Sequence, residues 1–496
     1  MLTRLTVKGF KNLADVDVRF GPFTCVAGVN DVGKSNLFDA IIFLSALTDR
    51  PLTDAALSIR DEGERTGDVR DLFHRVGNEY VSEMSFDAEM IVPSHGLDDL
   101  NQEAEAAITF LKYGITLAYA GNDSFRSMGA LQIQREVLTH VNLRDARKHL
   151  HFKHSRAWRR SAVTGRRDTP FISTENTEAG LTIRLHQDGG GGRPSPRLAA
   201  ALPRTVLSVT NAAENPTALL ARREMQSWRL LQLDPSALRR PDEFRAPTRL
   251  SANGAHLPST LDHLANGSGK NGSGGQSNGD VAQQVYARVA NRLSELIHDV
   301  RAVSVERDDK RELLTLMATD SQNTVHPARA LSDGTLRFLA LAILEEESEA
   351  QGLIALEEPE NGIHPERIPA MLALLQDIAV DADLPIGPDN PLRQVIVNTY
   401  SPAIVAQVPD DSLVIATPKP GKDGRGRFTT VDFCGLDSTW RLKDAHCIAR
   451  LGDLLGYLSP AYTPAKISKA SLKHKPRRVI DRQDVQPLLP FVSDSK

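Results

Sequence analysis

Cysteine is scarce. The 496 residues hold three, Cys25, Cys434 and Cys447. None stands in the paired spacing of a zinc site, and three cannot all pair within one chain. The expectation is a reducing compartment without a disulfide framework. His446 and Cys447 are adjacent, but a metal site needs three or four ligands, so this pair reads as incidental. Long apolar runs are missing too: none reaches the ~18 residues that a membrane span needs. Met1-Leu2-Thr3-Arg4 passes straight into an alternating pattern instead of a signal-peptide core. These absences predict a soluble, cytoplasmic chain with no membrane partner. Charge of one sign is also lacking. Lys and Arg number 59 against 63 Asp and Glu, for a formal net charge of -4. The chain as a whole is therefore no general polyanion binder, and any nucleic-acid surface has to be a local patch.

What is present begins with β-strand alternation. Leu5, Val7 and Phe10, then Val16, Val18 and Phe20, recur with period two, and Phe23 to Ala27 reads as a buried strand. A glycine loop follows, then a helix over 34–47 with Leu37, Phe38, Ile41, Ile42 and Leu44 on its apolar side. Residues 80–92 read as a strand pair and 98–119 as helix. Between 135 and 167 lie ten Lys or Arg against only Glu136 and Asp145, with Phe152 and Trp158 among them. The runs 188–196 and 266–280 are Gly-, Pro-, Ser- and Asn-rich and read as flexible loops. Val281, Val285, Val289, Leu293, Leu296 and Ile297 mark an amphipathic helix. Residues 301–318 predict two strands turning at Asp308-Asp309. From 331 the pattern is α/β again, with helices near 335–348 and 366–379 and strands at 353–356, 394–399 and 412–416. The last segment, 463–496, is basic and reads as a loose tail. The whole is expected to be α/β, with a first lobe over 1–95, a large α-rich insertion over 96–300 forming a lid or arm, and a second lobe over 301–462. No solenoid repeat and no sustained heptads occur.

Three runs carry chemistry. Gly28-Val29-Asn30-Asp31-Val32-Gly33-Lys34-Ser35 satisfies G-x-x-x-x-G-K-[ST] between a strand and a helix, the context that motif requires. Its glycines let the backbone wrap a phosphate, and its N–H groups converge at the positive end of a helix dipole. Asn30, Asp31, Gly33 and Asn36 line the loop. Lys34 supplies a point charge for the outer phosphates, and the Ser35 hydroxyl is placed to ligate Mg²⁺. Gly267-Ser268-Gly269-Lys270-Asn271 imitates the end of such a loop, but no strand precedes it and Asn271 replaces the hydroxyl, so it reads as linker. In the second run, Leu353 to Leu356 form a buried strand that ends in Glu357 and Glu358, at the edge where open α/β sheets bind ligands. Glu357 is placed to hold Mg²⁺ and Glu358 to polarise the attacking water. In the third, Leu331-Ser332-Asp333-Gly334-Thr335 opens a helix with good cap residues. A bare cap is the plain alternative, but exposed N–H groups and a hydroxyl also suit a γ-phosphate.

Together with Asn361-Gly362-Ile363-His364-Pro365, these runs resemble the Walker A, Walker B, signature and D-loop motifs of ABC-type ATPases. The form Glu-Glu-Pro-Glu-Asn-Gly-Ile-His-Pro is similar to the RecF, SMC and OLD branch, and most to the ATPase subunits of anti-phage systems such as PARIS, Septu and Gabija. The resemblance covers about 1–50 and 328–420. It implies an ABC-type P-loop head that binds ATP and Mg²⁺ between two copies of the chain. Ser332 and Gly334 would reach the γ-phosphate of the partner's nucleotide, Glu358 would be the catalytic glutamate, and 361–364, including His364, would cross the dimer. One position departs from the pattern. Where the family has a switch histidine, Val397-Asn398-Thr399-Tyr400-Ser401-Pro402 has Tyr400. A phenol near pKa 10 cannot carry an imidazolium charge near neutrality, so hydrolysis is expected to be slow. No glutamine is assignable to the Q-loop from the sequence.

Two functions stay open at this point. One is an ATP-gated sensor or scaffold of an anti-phage complex that controls a separate effector subunit, a nuclease by expectation, because no acidic metal constellation appears after Tyr400 and Asp410-Asp411 reads as a loop pair. The other is a RecF-like DNA-binding ATPase of repair, gripping DNA through Arg135 to Arg167 with Phe152 and Trp158 stacking on bases. Arg239, Arg240 and Arg245 either serve the nucleotide site or decorate a loop. A transporter is not expected, since the gap between Lys34 and Ser332 is far too long.

Overall fold

A computed structural model describes residues 1–449 except 60–67, 121–129, 190–192, 268–277, 298, 348–350, 425, 438 and 445–446. The tail expected at 463–496 and most of the loop expected at 266–280 lie outside the described residues, as do the middle of the 188–196 loop and His446.

Two sheets organise the fold. A seven-stranded sheet runs Arg229–Leu231, Gly352–Glu357, Arg393–Thr399, Phe23–Ala27, Leu413–Asp423, Gly426–Leu436 and Ile448–Ala449. Its first four junctions are parallel. Parallel strands are covered on both faces, which explains why Phe23–Ala27 is buried at every position. Val26 faces one core and Cys25 and Ala27 the other. At the strand ends Ala27 is in register with Thr399 and Glu357 with the preceding Asn398, so the phosphate loop and the two glutamates leave the sheet at the same edge.

The second sheet has eight antiparallel strands, in the order 195–198, 180–185, 172–177, 130–140, 110–120, 83–91, 2–10 and 13–19. The helix Lys34–Leu47 lies between the sheets: Leu37, Phe38, Ile41 and Leu44 share one core with Leu5, Val7, Phe86 and Ile115 on one side and Leu353 and Ile396 on the other. The helices Asp333–Glu346, Ile368–Ile378, Leu257–Gly267 and Asn278–Leu296 cover the opposite face of the parallel sheet. A small sheet of 242–243, 313–320, 300–308 and 325–327 sits beside them. Among the described residues no helix is long and apolar enough to cross a membrane.

Several expectations need correction. Residues 98–119 are not helical; they form Glu103–Glu105 and most of Phe110–Ala120. Tyr113, Ile115 and Leu117 are buried with period two, and that alternation belongs to a strand. The strand pair expected at 80–92 is one long strand, Glu83–Ile91, preceded by a short hairpin strand Glu79–Tyr80. The segment 96–300 is strand-rich up to Leu198, with only the short helices Ala146–His149 and Arg156–Ala162 there, and its longer helices begin at Pro216. The boundary expected at 95 falls between strands of one sheet, since Glu83–Ile91 pairs with Phe110–Ala120 along its full length. The absence of a disulfide is overturned as well. Cys434 and Cys447 are bonded, with Cα atoms 4.6 Å apart, because the parallel pairing of Gly435 with Ile448 brings the two chain segments together. Cys25 is free and buried, and burial holds its thiol well above the usual range.

Phe152 and Trp158 are not available to stack on bases. Both are buried in a third core with Met1, Phe110, Val380 and Leu392, and their rings meet edge to face at 5.4 Å. The basic stretch around them is also less uniform than its composition suggests. Arg135 pairs with Asp87, Arg144 and Lys148 pair with Asp145, and Arg167 donates to the carbonyls of Thr169, Asp188 and Gln187.

Candidate functional site

The buried strand Phe23–Ala27 delivers the chain to 28–33, where it wraps back before the helix begins. Gly33 caps that helix with φ 112°, a left-handed backbone that glycine alone adopts at little cost. Space demands glycine as well: a Cβ there would lie 2.2 Å from Asn12 Nδ2. Asn12 belongs to the first hairpin. Its Nδ2 donates to Val32 O at 2.9 Å, and its Oδ1 accepts from Asn36 Nδ2 at 2.7 Å. The phosphate loop is thus pinned from outside by a residue the sequence did not flag.

Inside the loop, Lys34 is only 6% exposed. Its ammonium donates to the carbonyls of Gly28 at 2.8 Å and Val29 at 2.7 Å. Burial lowers its pKa, opposed by the carboxylates of Glu358, Asp31, Glu360 and Glu357. A cation held by two carbonyls, at the N-terminus of a 14-residue helix, is a site built for an anion.

The carboxylates emerge from Gly352–Glu357. Glu357 accepts from Gln232 Nε2 at 3.2 Å and from Asn398 Nδ2 at 3.3 Å. Two amide bonds leave free lone pairs on its oxygens, so it remains able to ligate a cation. Glu358 turns out of the strand with φ 46°. Its N–H donates to Asn398, at 3.1 Å to the carbonyl and 3.0 Å to Oδ1, and its carboxylate accepts from Asn361 Nδ2 at 2.8 Å. Glu360 is buried with Oε1 on the Thr399 hydroxyl and Oε2 unpartnered; burial raises its pKa. Among the described residues no cluster of three His, Cys, Asp or Glu forms a metal cage. One carboxylate and the Ser35 hydroxyl suit a Mg²⁺ that is completed by phosphate oxygens and water.

Ser332 caps the helix Asp333–Glu346, its Oγ accepting from Thr335 N at 3.2 Å. Arg239 donates to Leu331 O at 3.2 Å and to Asp333, which places it in the site's frame and not on a bare loop. Gly334 packs against the D-loop: a Cβ would lie 2.3 Å from Gly362 O. From the same helix Arg337 donates to Leu233 O at 3.1 Å and to Asn361 O.

These elements enclose a cleft of about 770 Å³. Asn30, Asp31, Gly33, Lys34, Ser35, Asn36, Glu357 and Glu358 all line it. Ser332, Gly334, His364 and Tyr400 do not line it. Tyr400 is 40% exposed just past the strand Arg393–Thr399. Gln232, Asn398 and Arg337 do line the cleft and were not anticipated. Gln232 directly follows the strand Arg229–Leu231, which pairs in parallel with the glutamate-bearing strand. A glutamine at the end of a short apolar strand is the signal that was available for it.

The family profile described as "AAA domain, putative AbiEii toxin, Type IV TA system" matches residues 144–406, just over half of the chain. The DNA replication and repair protein RecF of Phocaeicola vulgatus is 35% identical over 65 residues, which is 13% of this chain and 18% of that protein. The match thus spans less than a fifth of that relative's length. Among solved structures, an SMC head bound to the C-winged helix domain of ScpA superposes over 88% of this chain and 98% of its own, with 13% identity and a TM-score of 0.44. The SMC head domain from Thermotoga maritima covers 88% of this chain and 99% of its own, at 11% identity and a TM-score of 0.36.

Proposed function

This chain belongs to the AAA-domain family described as putative AbiEii toxin, with the α/β P-loop head of ABC-type ATPases as its fold; on that premise we propose that it binds ATP with Mg²⁺ in the cleft and hydrolyses it slowly between two copies of itself. The observation that carries this reading is the Lys34 ammonium, held by the carbonyls of Gly28 and Val29 within the loop and facing the two glutamates across one cleft. Lys34 and the N–H groups of 31–35 would bind the outer phosphates. Ser35 and Glu357 would hold Mg²⁺, which when bound offsets phosphate charge and fixes its geometry. Glu358 would orient and deprotonate the attacking water. Ser332 and Gly334 of a second copy would close over the γ-phosphate, in keeping with their place outside their own chain's cleft. Tyr400 keeps a hydrogen-bond donor at the switch position without an imidazole's proton exchange, which makes the ATP-bound pair long-lived.

A slow, closing ATPase suits a cytoplasmic sensor or scaffold that holds and releases a separate effector subunit of an anti-phage system, which the family resemblance makes a nuclease. Co-expression with the product of the neighbouring gene tests this. A partner retained by the wild type and altered in binding by Lys34→Ala supports the reading; retention indifferent to Lys34 and to ATP refutes it. A RecF-like, DNA-binding role has one observation in its favour: among the described residues no carboxylate pairs with Arg156, Arg159 or Arg160, and burial together with the charges of Arg147, Arg156 and Arg160 lowers the pKa of Arg159. Steeply salt-dependent DNA affinity that is lost in Arg159→Ala/Arg160→Ala would favour that role.

A further inference from the structure

Glu360 is a buried carboxyl that takes no part in the proposed steps. It follows Glu358 closely in the chain, yet it is only 8% exposed and does not line the cleft. Its Oε1 accepts the hydroxyl proton of Thr399, the fully buried last residue of the strand Arg393–Thr399. The same hydroxyl oxygen accepts from Ser401 N at 2.8 Å. A threonine hydroxyl has one proton to give and can accept as well. The Ser401 N–H can only donate, so the proton goes to Glu360 and the direction of the pair is fixed. Ser401 leads into the short helix Pro402–Val405, its carbonyl accepting from Ile404 N at 3.2 Å. Tyr400 is the residue inside this clasp. The turn that carries Glu360 is tied in its own right: Asn361 N donates to Glu358 O at 3.0 Å and Ile363 N to Glu360 O at 2.9 Å. One buried carboxyl thus joins the turn that bears Glu358 to the turn that bears Tyr400.

We infer that Glu360 is a positioning residue for hydrolysis, acting through the Thr399 hydroxyl to set where Tyr400 stands relative to Glu358. It reaches the reaction only through Thr399. The task needs a hydrogen-bond acceptor at Oε1, and a carboxamide oxygen supplies one as a carboxylate does. Burial makes the bond matter, because a buried group that loses its partner finds no water to replace it. Tyr400 itself is 40% exposed, so the clasp on its backbone, more than packing of its ring, fixes its place. The inference rests on the reading of the cleft as an ATP site with Tyr400 at the switch position.

The test uses the full chain with Glu360→Ala, Glu360→Gln, Thr399→Val and Thr399→Ser, and with Glu360→Ala added to Tyr400→Phe. A fluorescent ATP analogue with Mg²⁺ measures affinity, and single-turnover phosphate release measures hydrolysis. Glu360→Ala and Thr399→Val are expected to bind the analogue within about twofold of wild type while losing roughly tenfold in hydrolysis, the effect of one buried hydrogen bond. Glu360→Gln keeps the acceptor and Thr399→Ser the hydroxyl, so both are expected to hydrolyse within about threefold of wild type. Added to Tyr400→Phe, Glu360→Ala is expected to cost less than about twofold more, since residues acting as one unit are not additive. Wild-type hydrolysis in either Glu360→Ala or Thr399→Val would overturn the inference. So would a loss in Glu360→Gln equal to that in Glu360→Ala, since that makes the carboxyl's proton chemistry essential. An undiminished effect of Glu360→Ala beside Tyr400→Phe would overturn it too, because Glu360 then acts elsewhere. If Glu360→Ala does not fold, the two threonine variants decide by the same criteria, with Thr399→Val added to Tyr400→Phe. A wild type that binds no analogue refutes the ATP reading and the inference with it; binding by the wild type with unchanged hydrolysis in the variants refutes the inference alone.

Discussion

Asn361 Nδ2 donates to Glu358 Oε2 at 2.8 Å, so an amide from the neighbouring turn aims the glutamate that lines the cleft. Glu358→Gln is expected to bind ATP as the wild type does while hydrolysing it about 10²- to 10⁴-fold more slowly, and its ATP-bound pair should outlast that of the wild type. Single-turnover phosphate release and light scattering read both effects. Wild-type turnover in Glu358→Gln would shift attention to Glu360.

Lys34→Ala removes the one buried ammonium of the phosphate loop. Affinity for ATP is expected to fall at least 100-fold. The wild type should show a thermal upshift with saturating ATP and Mg²⁺, since ligand at 100 times its Kd stabilises by about 2.7 kcal/mol, and the variant should show none. An equal upshift in both proteins would place the nucleotide elsewhere.

Tyr400→His restores a side chain that can exchange protons near neutral pH at an exposed position just past the strand Arg393–Thr399. Single-turnover hydrolysis is expected to rise roughly tenfold, short of the roughly 100-fold at which full general acid–base effects begin. A slower histidine variant would show that the phenol is an improvement and not a brake.

Glu136 should give the folded chain a pH signature. Burial pushes its carboxyl up to about 7 from 4.5, against hydrogen bonds from the Val206 and Leu207 N–H groups at 2.8 and 2.9 Å and from the Tyr113 hydroxyl. Between those two values the folded state keeps a proton that the unfolded chain has released. Stability from this group therefore falls as pH rises through the window, by roughly 3 kcal/mol in all, and levels off above it. Urea midpoints at pH 5 and pH 7.5 read the slope. Glu136→Gln should flatten the slope and lower stability at pH 5 by about 1–3 kcal/mol, because a carboxamide sets a donor against a backbone N–H. An unchanged slope in the variant would assign the effect to other groups.

The parts of the site that were legible in the sequence are the contiguous ones. Gly28 to Ser35 and Leu353 to Glu358 each carry strand, turn and chemistry within a few residues, and register across one sheet brings them together. Gln232, Asn398 and Arg337 reach the cleft, and Asn12 reaches the back of the phosphate loop, only through pairing between distant segments; of these, Gln232 alone carries a local signal, its place at the end of a short strand. The arginines around Phe152 and Trp158 suggest a surface for bases, but both rings face inward, because the short helix Arg156–Ala162 buries Trp158 on one side while Arg156, Arg159 and Arg160 occupy the rest. The bond between Cys434 and Cys447 is not legible in the sequence, because the strand pairing that joins them leaves no trace in their spacing.

The left-handed backbone of Glu358 has a consequence for how this protein tolerates change. Any residue with a Cβ sits there at a cost of about 1–2 kcal/mol, and a glycine would relieve it. Random variation selected for sturdiness alone would therefore drift toward a tougher chain without a carboxylate at this point of the cleft. The glutamate here is thus held against a local backbone preference for glycine.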